Sequence, residues 1–184
     1  AKRLKEVQSE TVMTTTYNEV DLSSVIAIRK KYQDQFVKKH NTKLGFMSFF
    51  VKASVNSLQS FPHLNAELHQ DELIVKKYYD IGIAVATEEG LVVPVLRGAD
   101  KLSSAEIELG IAELAIRSRE KKITLQELQG GTFSITNGGV FGSLMSTPLL
   151  NPPQVGILGM HKIMEKPIAV NGEVVIRPVM MLAV

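Results

Sequence analysis

Four histidines, no cysteine and one glycine-rich stretch hold most of the chemistry that this chain of 184 residues presents. Without cysteine there is no disulfide, no thiolate-ligated metal and no cysteine nucleophile, which fits an intracellular setting. His40 follows a basic helix end, where a cation favours the helix dipole. His63 sits beside Pro62 in a turn and His69 in a polar stretch. No cluster of ligands forms around either, so no metal site is expected. His161 closes the apolar run Ile157-Leu158-Gly159-Met160 and reads as a core histidine with its nitrogens satisfied. The densest unusual stretch is Gly130-Gly131-Thr132-Phe133-Ser134-Ile135-Thr136-Asn137-Gly138-Gly139-Val140-Phe141-Gly142-Ser143. A strand runs directly into Asn137-Gly138-Gly139, and glycine allows both positive φ and a close backbone approach. It is neither the GxGxxG dinucleotide pattern nor a phosphate loop, because no Gly-Lys-Ser/Thr follows. Along such a strand Thr132, Ser134 and Thr136 share one face and Phe133 and Ile135 the other. The expectation is that the two apolar residues enter the core while the three hydroxyls face a polar space.

A core must position that stretch, and the composition allows one. Apolar residues make up 45% and charged residues 22%, an ordinary globular balance in a chain of one-domain length. Lys+Arg number 21 against 19 Asp+Glu, so the net charge of +2 does not point to a nucleic-acid partner. No run approaches the ~20 apolar residues of a membrane span.

Residues 1–10 read as the tail of a helix, and the β-branched and aromatic run 11–21 as a strand. Leu22, Val25, Ile28, Tyr32 and Phe36 recur at helical steps, predicting an amphipathic helix over 23–39. Its basic residues, from Arg29 to Lys43, read as a solvated face rather than a polyanion patch. A largely buried helix is expected over 45–61, with Phe46, Phe49, Phe50, Ala53, Ser57 and Phe61 on one side, Met47, Val51 and Val55 beside them, and Pro62 ending it. Strands follow at 64–70, 73–77, 80–87 and 91–96, the last two joined by Glu88-Glu89-Gly90. Pro94 suggests an edge or a bulge. Ser103-Ser104-Ala105-Glu106 is a capping box opening a helix to about 120, and Thr124-Leu125-Gln126-Glu127 another, opening a short helix that Gly130-Gly131 closes. Strands at 132–136, 154–165 and 173–184 complete an α/β chain with a mixed sheet flanked by helices. Both ends read as cuts: Ala1 is not Met, and the apolar run from Val179 to Val184 stops inside what reads as a buried strand.

The runs Thr15-Thr16-Tyr17-Asn18-Glu19-Val20-Asp21, Leu44-Gly45-Phe46-Met47-Ser48-Phe49-Phe50-Val51-Lys52-Ala53 and Gly90-Leu91-Val92-Val93-Pro94-Val95 recur in one known family. So does the block from Gly131 to Pro148, continuing through Asn151-Pro152-Pro153-Gln154 to Ile157-Leu158-Gly159-Met160-His161. Across essentially its whole length the chain resembles the catalytic core domain of the dihydrolipoamide acyltransferases of 2-oxo acid dehydrogenase complexes. Gly142-Ser143-Leu144-Met145-Ser146-Thr147-Pro148 and Gly159-Met160-His161 are most similar to the succinyltransferase branch, which serves the 2-oxoglutarate complex.

The resemblance implies a chloramphenicol acetyltransferase-like fold, trimers with active sites between subunits, and a hollow cubic core. It implies the decarboxylase and dihydrolipoamide dehydrogenase components as partners. It implies coenzyme A as a substrate, a lipoyl group carried on a separate domain, no metal, and no nucleic-acid or membrane partner. The lipoyl and peripheral-subunit-binding domains of such proteins are absent from these residues. The place would be the bacterial cytoplasm, or the mitochondrial matrix in a eukaryote. One site residue carries over: the hydroxyl that stabilises the tetrahedral intermediate falls on Thr136. The family's Asp-His-Arg-x-x-Asp-Gly motif would follow Val184, so its general-base histidine and accompanying aspartate match no residue here. Residues 1–184 alone are therefore expected to be inactive. Arg97, Ser143, Ser146 and Thr147 are available to read a succinyl carboxylate, though a structural role suits each better. A non-catalytic assembly scaffold and a free-standing small-molecule O-acetyltransferase are the competing readings.

Overall fold

The computed structural model describes residues 2–184, with side chains from Lys5 onward; Ala1, included in the expected N-terminal helix, lies outside the described residues. The chain runs α1 (Lys2–Glu10), β1 (Tyr17–Asp21), α2 (Ser23–His40) and α3 (Met47–Ser60), then a 3-10 turn at Pro62–Asn65. Next come β2 (Ala66–His69), β3 (Glu72–Val75), β4 (Ile81–Ile83), β5 (Val85–Thr87), β6 (Gly90–Val92) and β7 (Val95–Leu96). After α4 (Ser104–Arg119) and a 3-10 turn at Gln126–Leu128 lie β8 (Phe133–Asn137), a 3-10 turn at Gly139–Phe141, β9 (Ile157–Val170) and β10 (Glu173–Ala183).

Six strands make one sheet in the order β1-β10-β9-β8-β4-β7. β8 runs parallel to both β4 and β9, and the other pairs are antiparallel. This is the mixed sheet expected. Ile81, Ile83, Phe133, Ile135, Leu158, Met160 and Met180 of the sheet bury themselves against Phe50, Val51, Val55 and Leu58 of α3 and Ile107 of α4. Burial of such side chains is worth roughly 1.5–3 kcal/mol each and holds β8 at the middle of the molecule.

Local signals set the ends of α4. Ser103 Oγ accepts from the N–H of Glu106 at 3.3 Å, and the Glu106 carboxylate accepts from the N–H of Ser103 at 2.7 Å. Hydrogen bonding from the Ser103 side chain, then from its main chain, holds the Glu106 carboxyl below its ordinary value of 4.5. Glu108 on α4 reaches across to cap α3, accepting from the Ser48 N–H at 2.9 Å. That contact locks the two helices covering the sheet.

Several expectations shift. The strand expected over 11–21 pairs only near its end: β1 begins at Tyr17, and Thr16 exchanges main-chain bonds with Val184. The buried side of α3 is Ser48, Phe50, Val51, Ser54, Val55 and Leu58, whereas Ala53, Ser57 and Phe61 are exposed. Small serines let the helix approach its neighbours, so the large phenylalanines do not define the inward face. The run 80–87 splits between two sheets, as does 91–96. Buried Pro94 sits at the second break, accepting from the Ile83 N–H while offering no donor, and β7 beyond it is an edge strand. The box at Thr124 opens only a single 3-10 turn, in which the Glu127 carboxylate accepts from the Thr124 N–H and from Arg117.

Candidate active site

Thr136 lies near the end of β8, the strand bonded to β4 on one side and β9 on the other. Opposite it in the β9 register is Gly159. Phe133 and Ile135 point into the core, 5% and 0% exposed, as the alternation predicts. The other face does not open onto a polar space. Thr132 is buried and bonds the Asp80 backbone: its N–H donates to the Asp80 carbonyl at 2.7 Å, and its Oγ1 accepts from the Asp80 N–H at 3.3 Å. Ser134 is buried as well, its hydroxyl donating to Gln154 Oε1 at 2.5 Å. Thr136 alone of the three is half-buried, and among the described residues no protein group bonds its hydroxyl.

Thr136 borders a cavity of about 450 Å³ whose walls are largely aliphatic: Leu91, Val92, Leu128, Leu149, Leu150 and Ile157. The walls come from the β5–β6 hairpin, the 3-10 turn before β8, and the loop between β8 and β9. That loop is held down at both ends. Ser134 and Gln154 tie its far end, and Asn137 Oδ1 accepts from the Gly139 N–H at 2.9 Å to tighten its start. A Cβ at Gly139 would come within 2.4 Å of the His161 carbonyl oxygen, so only glycine lets the turn lie on β9. The Ser143 carbonyl then accepts from the Lys162 N–H at 2.9 Å. The arrangement presents one free hydroxyl donor at the rim of an apolar chamber, suited to a ligand with an alkyl arm and a developing oxyanion.

The remaining candidates disperse. Arg97 donates to Asp80 Oδ2 at 2.8 Å and to the carbonyls of Gln126 at 2.8 Å and Gln129 at 2.5 Å. Asp80 Oδ1 meanwhile accepts from the Gly98 N–H. Arg97 thus fastens the segment before β8, with its guanidinium turned to protein acceptors. Ser143 makes a long bond to the Met145 carbonyl, Ser146 pairs with His161, and Thr147 is exposed. His161 is buried with both nitrogens partnered, as its apolar setting predicts. His40 ends α2 with its ring 4.8 Å from that of Phe36, while His63 and His69 lie apart on the turn after α3 and on β2. Among the described residues no group of three or more His, Cys, Asp or Glu is placed to hold a metal ion. The pairing of Ser134 with Gln154 lies outside what sequence reasoning singled out; the one available signal was a polar residue just after Pro152-Pro153 in an apolar neighbourhood.

The family described as 2-oxoacid dehydrogenases acyltransferase (catalytic domain) matches residues 1–184. The dihydrolipoyllysine-residue succinyltransferase component of the 2-oxoglutarate dehydrogenase complex from Bacillus subtilis is 63% identical over 173 residues, 94% of this chain and 42% of that protein. The component of the same name from Rickettsia typhi is 56% identical over 183 residues, 100% of this chain and 46% of that protein. The chain thus spans less than half the length of these relatives. The solved cubic core of a pyruvate dehydrogenase multienzyme complex superposes with a TM-score of 0.95 at 32% identity, covering 99% of this chain and 75% of that chain. Chloramphenicol acetyltransferase, at TM-score 0.54 and 13% identity over 99% of this chain and 82% of its own, shares the fold alone.

Proposed function

Because this chain belongs to the acyltransferase (catalytic domain) family of the 2-oxoacid dehydrogenases, we propose that it moves a succinyl group between dihydrolipoamide and coenzyme A in a 2-oxoglutarate dehydrogenase complex. The observation that carries this reading is the level of identity. Relatives named for succinyl transfer match at 56–63%, against 32% for the pyruvate-complex core.

The coenzyme A thiol has an ordinary pKa near ~8.5, so attack at neutral pH needs a base. That base is the histidine of the Asp-His-Arg-x-x-Asp-Gly motif, which the family resemblance assigns to sequence beyond Val184. The thiolate adds to the succinyl thioester carbonyl of dihydrolipoamide, negative charge collects on the carbonyl oxygen, and collapse expels the dihydrolipoyl thiol. Thr136 donates its hydroxyl to that oxyanion. Two features support this role: the hydroxyl lacks a protein partner among the described residues, and it borders an aliphatic cavity able to take the dihydrolipoyl arm. Direct transfer between two thiols needs no protein nucleophile and no metal.

Coenzyme A is thus a substrate and the lipoyl group arrives on a separate domain. The assembled form is a set of trimers building a cubic core, attended by decarboxylase and dihydrolipoamide dehydrogenase components. The match to a cubic core supports this, as do the exposed apolar side chains of Val140, Phe141, Val174 and Ile176, 61–78% accessible in a single copy. The bacterial relatives support a place in the bacterial cytoplasm. Among the described residues no helix is long and apolar enough to cross a membrane.

The test is an assay of succinyl- against acetyl-dihydrolipoamide with coenzyme A. It uses the polypeptide continued through the histidine motif, beside residues 1–184 alone. Succinyl-coenzyme A formed by the longer chain and not by the shorter is expected. A longer chain that prefers acetyl, or transfers neither, refutes the proposal; the second outcome leaves an assembly scaffold.

A further inference from the structure

Ser146 and His161 form a pair that the transfer chemistry leaves unused. His161 is 1% exposed, while Ser146 sits exposed in the loop that lies against β9. His161 Nδ1 is 2.8 Å from the Met181 carbonyl oxygen. A carbonyl only accepts, so Nδ1 carries the proton. In the neutral ring Nε2 is then a bare acceptor, and the Ser146 hydroxyl, 2.8 Å away, donates to it. Hydroxyl, base and orienting acceptor stand in sequence, which is the arrangement that activates a serine.

The β-sheet is deformed to make this possible. Met180 pairs with Ile163 and Leu182 with Met160, so two residues of β9, His161 and Lys162, oppose the single Met181 of β10. A bulge of this kind re-aims side chains and releases a ladder carbonyl. Here the released carbonyl is the one that fixes the imidazole. Among the described residues the N–H groups of Met145, Ser146 and Thr147 donate to no main-chain or side-chain acceptor. A carbonyl steadies an imidazolium less than a carboxylate would, so the reaction is slow relative to a full serine triad.

We propose that Ser146 is an acyl-accepting nucleophile, with His161 as its base, toward small acyl thioesters. Ser146 Oγ bonds to the thioester carbonyl carbon while its proton passes to His161 Nε2. The carbon–sulfur bond breaks, and the proton moves from Nε2 to the departing thiolate. The products are a serine ester and a free thiol. The serine and its base rest on this geometry, while the choice of acyl thioesters rests on the succinyl-transfer reading.

Incubation with succinyl-coenzyme A, followed by peptide mass mapping, tests it without any transfer assay. A single hydroxylamine-sensitive ester on Ser146 is expected, and a fluorophosphonate probe should label the same residue. Ser146→Ala, whose folding is checked by its melting curve because it takes the partner from buried His161 Nε2, should abolish both adducts. His161→Asn keeps an N–H for Met181 but supplies no base, and labelling should fall at least ~10²-fold. A folded protein that takes neither reagent at Ser146, or is acylated only on lysines, overturns the proposal. So does labelling that survives in a folded His161→Asn protein.

Discussion

Replacing Thr136 by Val separates two roles that a hydroxyl at this position can have. The change keeps the branched shape and strand preference and removes the donor. Among the described residues no protein group bonds that hydroxyl, so its removal leaves no buried partner unpaired. The added methyl borders the cavity that Leu91, Leu150 and Ile157 also line. Burying one such group is worth up to about 0.8 kcal/mol, so Tm should hold or rise slightly. Catalysis should move the other way. Loss of one oxyanion donor costs ~10²–10³ in kcat, about 2.7–4 kcal/mol. Thr136→Ser, which retains the hydroxyl, should keep much of the rate. The assay is kcat for succinyl transfer by the chain continued through the histidine motif, with thermal melting of each variant beside it. A folded Thr136→Val enzyme that loses less than about threefold, well below the expected range, refutes the oxyanion role. A large fall in Tm would point instead to a structural hydroxyl.

Other perturbations test the frame around it. Gln154→Leu leaves the Ser134 hydroxyl buried and unpartnered, and should cost about 1–3 kcal/mol in urea unfolding; adding Ser134→Ala should recover part of that loss. Gly139→Ala forces a methyl toward three main-chain atoms of His161 and Lys162, at 2.4–2.8 Å, and should cost about 1–3 kcal/mol, read as a fall in Tm. Ser103→Ala should cost about 1 kcal/mol at neutral pH by loss of the α4 cap. Glu106 has its folded pKa lowered from 4.5 by hydrogen bonding from Ser103, so its contribution is full above 4.5 and is lost as pH falls through the lower folded value. The Tm gap between wild type and Glu106→Gln should therefore close progressively below pH 4.5; a gap that widens in acid refutes the assignment.

What the sequence makes legible is what its chemistry settles locally. The box at Ser103 and Glu106 is complete within four residues, and the helix it predicts is the helix found. The alternation of Phe133 and Ile135 likewise fixes which face of β8 is core. The opposite face shows the limit. Thr132, Ser134 and Thr136 look equivalent in sequence, yet Asp80 and Gln154 seal the first two from distances of 52 and 20 residues. Only the third hydroxyl stays free, because among the described residues no such partner meets it. Arg97 is drawn off in the same way, by Asp80 and by carbonyls 29 and 32 residues ahead. On α3 local periodicity placed Phe50, Val51 and Val55 correctly but missed Ser48, Ser54 and Leu58 and put Ala53, Ser57 and Phe61 on the wrong side; Glu108 of another helix meets the Ser48 N–H.

The candidate site divides along the same line. The strand that turns at Asn137-Gly138-Gly139 and presents Thr136 is written in adjacent residues. The cavity is not, since its walls are gathered from the β5–β6 hairpin, the turn at Leu128 and the loop around Leu150. A sheet order that places β8 between β4 and β9 gathers them, with one apolar face of that sheet buried under α3 and α4. Spacing along the chain therefore identifies the strand, the sheet order selects which of its hydroxyls stays open, and the aliphatic walls set the kind of arm it meets.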